Sequence, residues 1–262
     1  MDRSQWDKLA DTFEEDVCDI AREETRDQLD RYVRAARPLP ANATLVDLGC
    51  GLGSFVKKYR RRFARIVAVE FAPRIIARAR RRCASIRHAE WLTMDIPPAA
   101  RKIGAVADLT VCMNVITQAG EKRRAALWNA VACVTKPGGF ALFVVASLES
   151  ELMVARILRQ AGEDVPAPRK GGLVLHDDAY QKHFTREELG AVLRAHGFDP
   201  LRIGPIHYRW SKEGMRKPRS YTGKGPWDWV CVAKRVTNRS QQAMAAKPSA
   251  ARSRKRESGS AG

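Results

Sequence analysis

The sequence predicts an α/β fold: a doubly wound sheet of seven strands, mostly parallel, with helices on both faces and an antiparallel hairpin at its C-terminal end. Three observations carry this expectation. Short β-rich runs alternate with helical stretches, which is the rhythm of βαβ units. A glycine-rich turn, "LGCGLGSF", joins the first such strand to the helix after it. Two late β-rich runs follow one another with no helix between them, which suits a terminal hairpin.

Residues 3–37 place Trp6, Leu9, Phe13, Val17, Ile20, Leu29 and Val33 mostly three or four apart between charges. This is an amphipathic helical lead-in, closed by Pro38 and Pro40. Strands are predicted at 43–48, 65–70, 89–95, 107–114 and 139–147, and helices at 53–62, 73–83 and 121–135. The last of these helices is stopped by "KPGG", where the proline and glycines cannot continue it. Residues 148–161 read as a further helix and "GEDVPAPRKGG" as a loop. "HFTREELGAVLRAHGF" then opens on a capping box, Thr185 to Glu188, and ends at Gly197. "PLRIGPIHYRW" and "WDWVCVAKR" supply the hairpin strands. Beyond Val236 the Ser, Ala, Lys and Arg composition offers no core, so 236–262 is expected to be a disordered basic tail.

A chain of 262 residues can bury one sizeable core, and nothing in its composition demands a second complete domain. The formal charge is +18, of which the tail holds +5 and the body +13. Such an excess suits either a polyanionic partner or solvated, Arg-rich helix faces. The clusters "KKYRRR" and "RARRR" lie on predicted helices beside Ile75, Ile76 and Ala79, and the few aromatics are not interleaved with them. Nucleic acid is therefore possible as a partner but not favoured over a small molecule. The six cysteines form no C-x-x-C pair, so no metal site is expected, and free thiols in apolar runs fit a reducing, cytoplasmic compartment. The charged first thirty residues lack a signal-type apolar core, and no run approaches a membrane span.

The glycine spacing, Gly49, Gly51 and Gly53, is neither the dinucleotide G-x-G-x-x-G nor a Gly-Lys-Ser/Thr phosphate loop. Asp47, two residues before the first glycine, would oppose a pyrophosphate and favour a cationic ligand. Glu70 ends the second strand about twenty residues on, where an acid can chelate ribose hydroxyls. Asp95 closes the third run and can accept from an adenine amino group. A ligand with a sulfonium or ammonium group and a ribose answers all three acids.

With "VDLGCGLG", "VAVEFAP", "LTMDI", "DLTVCMNVI" and "LWNAVACVTKPGGFALFVV" in this order, the chain resembles a class I S-adenosylmethionine-dependent methyltransferase with a type 11/25-like domain and a Rossmann-like fold. The resemblance covers about 42–147, and "FTREELGAVLRAHGF" is similar to the helix before the family's last hairpin. It implies that Asp47, Gly49, Cys50, Gly51 and Gly53 surround the methionine part of S-adenosyl-L-methionine, with Glu70 on the ribose. Phe71 would flank the adenine, Asp95 and Ile96 its amino edge, and Met113 and Asn114 would lie close to the transferable methyl. It also implies a helical lid at 1–40 carrying Trp6 and Phe13 and a methyltransferase domain at 41–235 with a substrate-side insertion at 148–184, ahead of the tail at 236–262 read from composition.

Methyl transfer from a sulfonium is an in-line displacement, so positioning and exclusion of water can supply much of the catalysis. An oxygen or carbon nucleophile also needs a proton acceptor. His176, Tyr180 and His183 in "LHDDAYQKHF" are candidates, beside Asn114. Asn114-Val115-Ile116-Thr117 replaces the Asn-Pro-Pro-Tyr of base-amine methylation, which argues against that chemistry. A small-molecule acceptor leads the expectations. RNA or protein as acceptor, and a noncatalytic cofactor-binding module, remain as alternatives.

Overall fold

The computed structural model describes residues 3–25, 27–176, 179–211, 217–219 and 221–237. Nearly all of the predicted tail, from 238 onward, lies outside the described residues. The lead-in is helical but not one helix. It forms four short ones, α1 (Arg3–Lys8), α2 (Phe13–Asp16), α3 (Ile20–Glu23) and α4 (Gln28–Ala35). Thr12, Asp19 and Asp27 stand at the starts of the last three, and such residues compete with helix interiors for local turn geometry. The apolar spacing survives these breaks, because each short helix still turns its apolar residues inward.

The sheet runs β1 (Thr44–Leu48), β2 (Arg65–Glu70), β3 (Ala89–Thr93), β4 (Ala107–Met113), β5 (Thr135–Ala146), then β8 (Phe198–His207) and β9 (Trp227–Arg235). Its order is β3-β2-β1-β4-β5-β9-β8. The first five strands are parallel, and β9 is antiparallel to both of its neighbours. This is the predicted seven-stranded, mostly parallel sheet with its C-terminal hairpin. A second, two-stranded sheet was not foreseen: β6 (Leu173–His176) pairs with β7 (Ala179–Lys182) inside the 148–184 segment.

Helices α5 (Ser54–Tyr59), α6 (Pro73–Arg82), α7 (Ile96–Ile103), α8 (Glu121–Val134), α9 (Leu148–Gln160) and α10 (Arg186–Ala195) complete the fold. Alternation along the strands divides the core. Leu45, Ile66, Ala68, Leu109 and Val111 face one way with Leu29, Tyr32, Val33, Phe55 and Val56. Val46, Leu48, Val67, Val69 and Phe143 face the other way with Ala99, Trp128, Val131 and Leu193. Full burial of each large aliphatic side chain contributes about 2 kcal/mol. Gly204 on β8 leaves room for the Tyr32 hydroxyl, and Arg202 lies 5.1 Å from the Tyr32 ring, which together seat α4 against the hairpin.

Three local expectations are corrected. The third run stops being a strand at Thr93, because Asp95 caps α7, accepting from the Ile96 N–H at 2.9 Å. That helix escaped notice behind Pro97 and Pro98, which the first helical turn tolerates because its N–H groups need no helical partner. The "KPGG" segment belongs to β5, whose pairing with β4 slips between Ala107↔Thr135 and Leu109↔Phe140. Of the capping box only the threonine half forms: Thr185 accepts from the Glu188 N–H at 3.1 Å, while the Glu188 carboxylate binds Lys182 instead.

Candidate active site at the carboxyl edge of the sheet

In an open sheet the ligand crevice lies outside the carboxyl ends of the strands where the order reverses, here between β1 and β4. β1 delivers Asp47 to that edge. The residue is 2 % exposed and its Oδ2 has no hydrogen-bond partner. Burial, then the carboxylates of Asp19 and Glu70, push its pKa up to about 8. The turn that follows needs glycine for two reasons. Gly49 and Gly51 have φ of 80° and 50°, and a Cβ on Gly49 would collide with Val115 Cγ2. A Cβ on Gly51 would come within 2.9 Å of Phe13 Cζ. Gly53 stands at the N-cap of α5, and Cys50, also in the turn, is a buried free thiol raised by the same burial.

Glu70 turns its carboxylate back over this loop. Oε1 accepts from the N–H groups of Phe71 and Ala72 at 2.8 and 3.0 Å, and Oε2 from Gly51 at 3.3 Å. Burial raises its pKa and those three N–H groups oppose the rise. Phe13 closes the loop from outside, in one apolar group with Trp6, Leu52, Phe71 and Ile75. The segment is tied down on α6, where Arg78 Nη2 binds Glu14 at 2.8 and 3.0 Å and Arg74 Nη2 binds Asp11 at 2.6 Å. The structure thus brings Trp6, Phe13 and Phe71 to the turn of Asp47.

At the end of β4, Met113 is half-buried against the core and Asn114 has a left-handed backbone, φ 52°. Its Nδ2 donates to Asp228 Oδ2 at 2.9 Å, and its Oδ1 is buried without a partner. Asp228, the second residue of β9, pairs with Ala146, the last residue of β5, so it stands at the same edge. Burial raises its pKa to about 7, with the Asn114 bond working against the rise. The next residue, Val115, is the one packed on Gly49, so Asn114 borders the glycine turn.

The β6–β7 hairpin lies beside this edge. Lys182 N–H donates to Thr117 O at 2.7 Å, and Phe184 exchanges bonds with Ala146 and Leu148 at 2.8 and 2.9 Å. His183 and His176 stack with ring centroids 5.3 Å apart. His183 is buried with Nδ1 unpartnered. Burial and the neighbouring His176 lower its pKa to about 3, although a bond to the Ser147 backbone favours the charged form. Tyr180 is drawn aside, with the Arg169 guanidinium 4.1 Å from its ring.

Asp95 is also engaged, because Arg123 grips both its oxygens at 2.5 and 2.9 Å. Burial alone would raise its pKa, but this guanidinium and the Ile96 N–H outweigh it and the net shift is downward. Ile96 is buried on the opposite face of the sheet from Cys50. Sequence reasoning missed Asp19, Arg123 and Asp228. Of these Asp228 carried a signal, an acid between two tryptophans in an otherwise apolar strand, since a buried polar residue is the informative exception.

An orphaned carboxylate oxygen beside a glycine cradle and a second buried acid fit a cationic, ribose-bearing ligand. The sheet order, with its single reversed strand, defines a Rossmann-like methyltransferase fold. Residues 45–139 match the family model described as a methyltransferase domain, so this stretch of the chain is a methyltransferase domain. S-adenosylmethionine is accordingly its cofactor. A comparison with curated protein sequences gives no match.

Solved structures share the fold at low identity. A methyltransferase from Anabaena variabilis has a TM-score of 0.65 at 14% identity, over 89% of this chain and 94% of its own. The 1,6-didemethyltoxoflavin-N1-methyltransferase of Burkholderia thailandensis, solved with S-adenosylhomocysteine, has a TM-score of 0.59 at 15% identity, over 90% and 87%. The N-methyltransferase NodS of Bradyrhizobium japonicum, also solved with S-adenosylhomocysteine, has 0.58 at 14%, over 90% and 99%. Among the described residues, no helix is long and apolar enough to cross a membrane and no cluster of metal-ligating side chains occurs.

Proposed function

We propose that the chain methylates a small molecule at a nitrogen, oxygen or carbon atom, with the acceptor seated between Asn114 and the β6–β7 hairpin. The observation that carries this reading is the part-buried Asn114–Asp228 pair at the mouth, which leaves the buried Asn114 carboxamide oxygen without a partner. A buried acceptor of this kind calls for a hydrogen-bond donor, such as the N–H or O–H of a compact nucleophile. Two of the structural relatives are, by name, N-methyltransferases. In this reading Asp47 and the glycine turn hold the methionine portion of the cofactor, Glu70 its ribose and Phe71 its adenine. The segment 1–40 acts as the lid and 148–184 as the acceptor-side wall.

The cofactor supplies an electrophilic methyl on sulfonium. This chain's residues bind, orient and exclude water. His183, neutral at ordinary pH and a weak base, can accept a hydrogen bond through Nδ1, and Asp228 can hold a proton near neutrality. Part of the basic surface is already spent on internal pairs, Arg74 and Arg78 with the lid and Arg65 with Glu90, which weakens the argument from charge for a polyanion. Incubating the protein with methyl-labelled cofactor and fractionated cell extract tests the reading. Label in the small-metabolite fraction is expected. Label confined to RNA or protein would replace it with the macromolecular alternative.

A further inference from the structure

One charged group at the glycine turn comes from neither the sheet nor its loops. Asp19, at the start of α3, accepts from the hydroxyl of Ser54, the first residue of α5, at 2.5 Å. It is close enough to Asp47 to disturb that residue's ionisation more than Glu70 does. Three carboxylates therefore converge on one turn, and one of them, Asp47, keeps a buried oxygen with no donor. Like charges gathered in a place of low dielectric repel one another, so the ligand-free arrangement is costly unless protons or a cation neutralise it. The residue Asp19 as a whole keeps partial exposure while its carboxyl group is largely enclosed beside Ser54.

We propose that Asp19 is a third carboxylate of the cofactor site. Together with Asp47 it holds the cationic, amino-bearing end of the ligand, so that ligand binding and the seating of 13–23 on α5 are one event. The inference rests on the cofactor-site reading above and extends it to the N-terminal segment. The geometry supports the coupling. Phe13, six residues earlier, covers Gly51, and Ser54 is the first residue of the helix that the turn leads into. A ligand drawn to Asp19 and Asp47 together would bring segment and turn into one contact.

The groups that bear on these acids are few. Asp47 faces Asp19 and Glu70, with the thiols of Cys50, Cys83 and Cys112 beside it, and Asp7 bears on Glu70. Asp19 has Ser54, Arg82, Arg22 and the Ala21 backbone working against the rise that burial imposes. Near pH 7 the ligand-free cluster keeps at least one proton, which a bound ammonium group would expel.

The probe is S-adenosylhomocysteine, titrated into the full chain by calorimetry near pH 7 in two buffers of different ionisation enthalpy. Wild type should bind and release protons. Asp19→Asn should bind about tenfold more weakly and release fewer protons, and Asp19→Glu should recover part of both. Melting temperatures of the variants without ligand check that each is folded. Should Asp19→Asn destabilise the chain, Ser54→Ala, which frees the Asp19 carboxylate but keeps its charge, must retain the proton release. Wild-type binding with an unchanged dissociation constant and unchanged proton count in Asp19→Asn would overturn the role of Asp19 and leave the cofactor site standing. Absence of binding in wild type would instead remove the cofactor-site reading, and this inference with it.

Discussion

The Asn114 side chain donates to the Asp228 carboxylate at 2.9 Å across the gap between the ends of β4 and β9, and both residues are held at the carboxyl edge of the sheet. The carboxylate has almost no contact with water, at 5 % exposure, so its ionised form is disfavoured and its pKa stands near 7. The unfolded chain would ionise the same group near pH 3.9. Between these values the folded state binds the extra proton, so this residue's contribution is intact below about pH 4 and is lost as pH rises through about 7. The full swing is at most about 4 kcal/mol. Asp228→Asn keeps an oxygen to accept from Asn114 but cannot ionise. Its melting temperature relative to wild type should therefore be more favourable at pH 8 than at pH 4.5. An offset independent of pH would contradict the burial argument.

The glycine turn separates two kinds of close approach. At Gly49 the added methyl would meet the branched Cγ2 of Val115, which packs against the core two residues past β4, and φ is 80°. At Gly51 it would meet only the far edge of the Phe13 ring, which can tilt away. Gly49→Ala should therefore destabilise by about 2–3 kcal/mol and abolish S-adenosylhomocysteine binding. Gly51→Ala should cost less, about 1 kcal/mol, and chiefly loosen the Phe13 segment. Thermal melts with limited proteolysis of the N-terminal segment distinguish them. Equal melting temperatures for the two variants would refute the distinction.

The parts legible in the sequence were those that repeat or punctuate. β1, β2 and β4 announced themselves because strands buried on both faces read as continuous apolar runs, and the glycine turn because positive φ needs glycine. Asp47 and Glu70 could be placed from their positions at strand ends. The rest depended on contacts between distant segments. Nothing local shows that Asp19 comes to Ser54, 35 residues on, or that Asp228 reaches Asn114, 114 residues back. The β6–β7 hairpin was hidden for another reason: its strands are four residues each, too short for alternation to register.

His183 gives a direct test of the hairpin wall. Its imidazole is buried and lies beside His176, and both influences oppose protonation, taking its pKa to about 3. For a depressed histidine the sign is simple. The folded form stays neutral while the unfolded chain takes up a proton below about 6.5, so stability is lost as pH falls from there toward 3. Nitrogen-15 chemical shifts of the His183 ring should stay constant from pH 8 to pH 5. A titration midpoint near 6.5 would show the ring to be solvated and the wall open.

Lys182 anchors that wall at a cost that can be measured. Its side chain is 3 % exposed, and the ammonium is satisfied by Glu188 Oε2 at 2.6 Å and Gly171 O at 2.7 Å. Removing only the acid leaves a buried cation with one neutral partner, a change that costs about 3 kcal/mol in comparable sites. Replacing both charges restores balance, because an apolar chain of similar length fills the space and no ion has to be desolvated. Glu188→Gln should thus lower the melting temperature by several degrees and speed amide exchange at Lys182, whose N–H is bonded to Thr117. Lys182→Met combined with Glu188→Gln should recover most of the stability. If the double variant were no more stable than Glu188→Gln alone, the ion pair itself rather than the stranded charge would account for the loss.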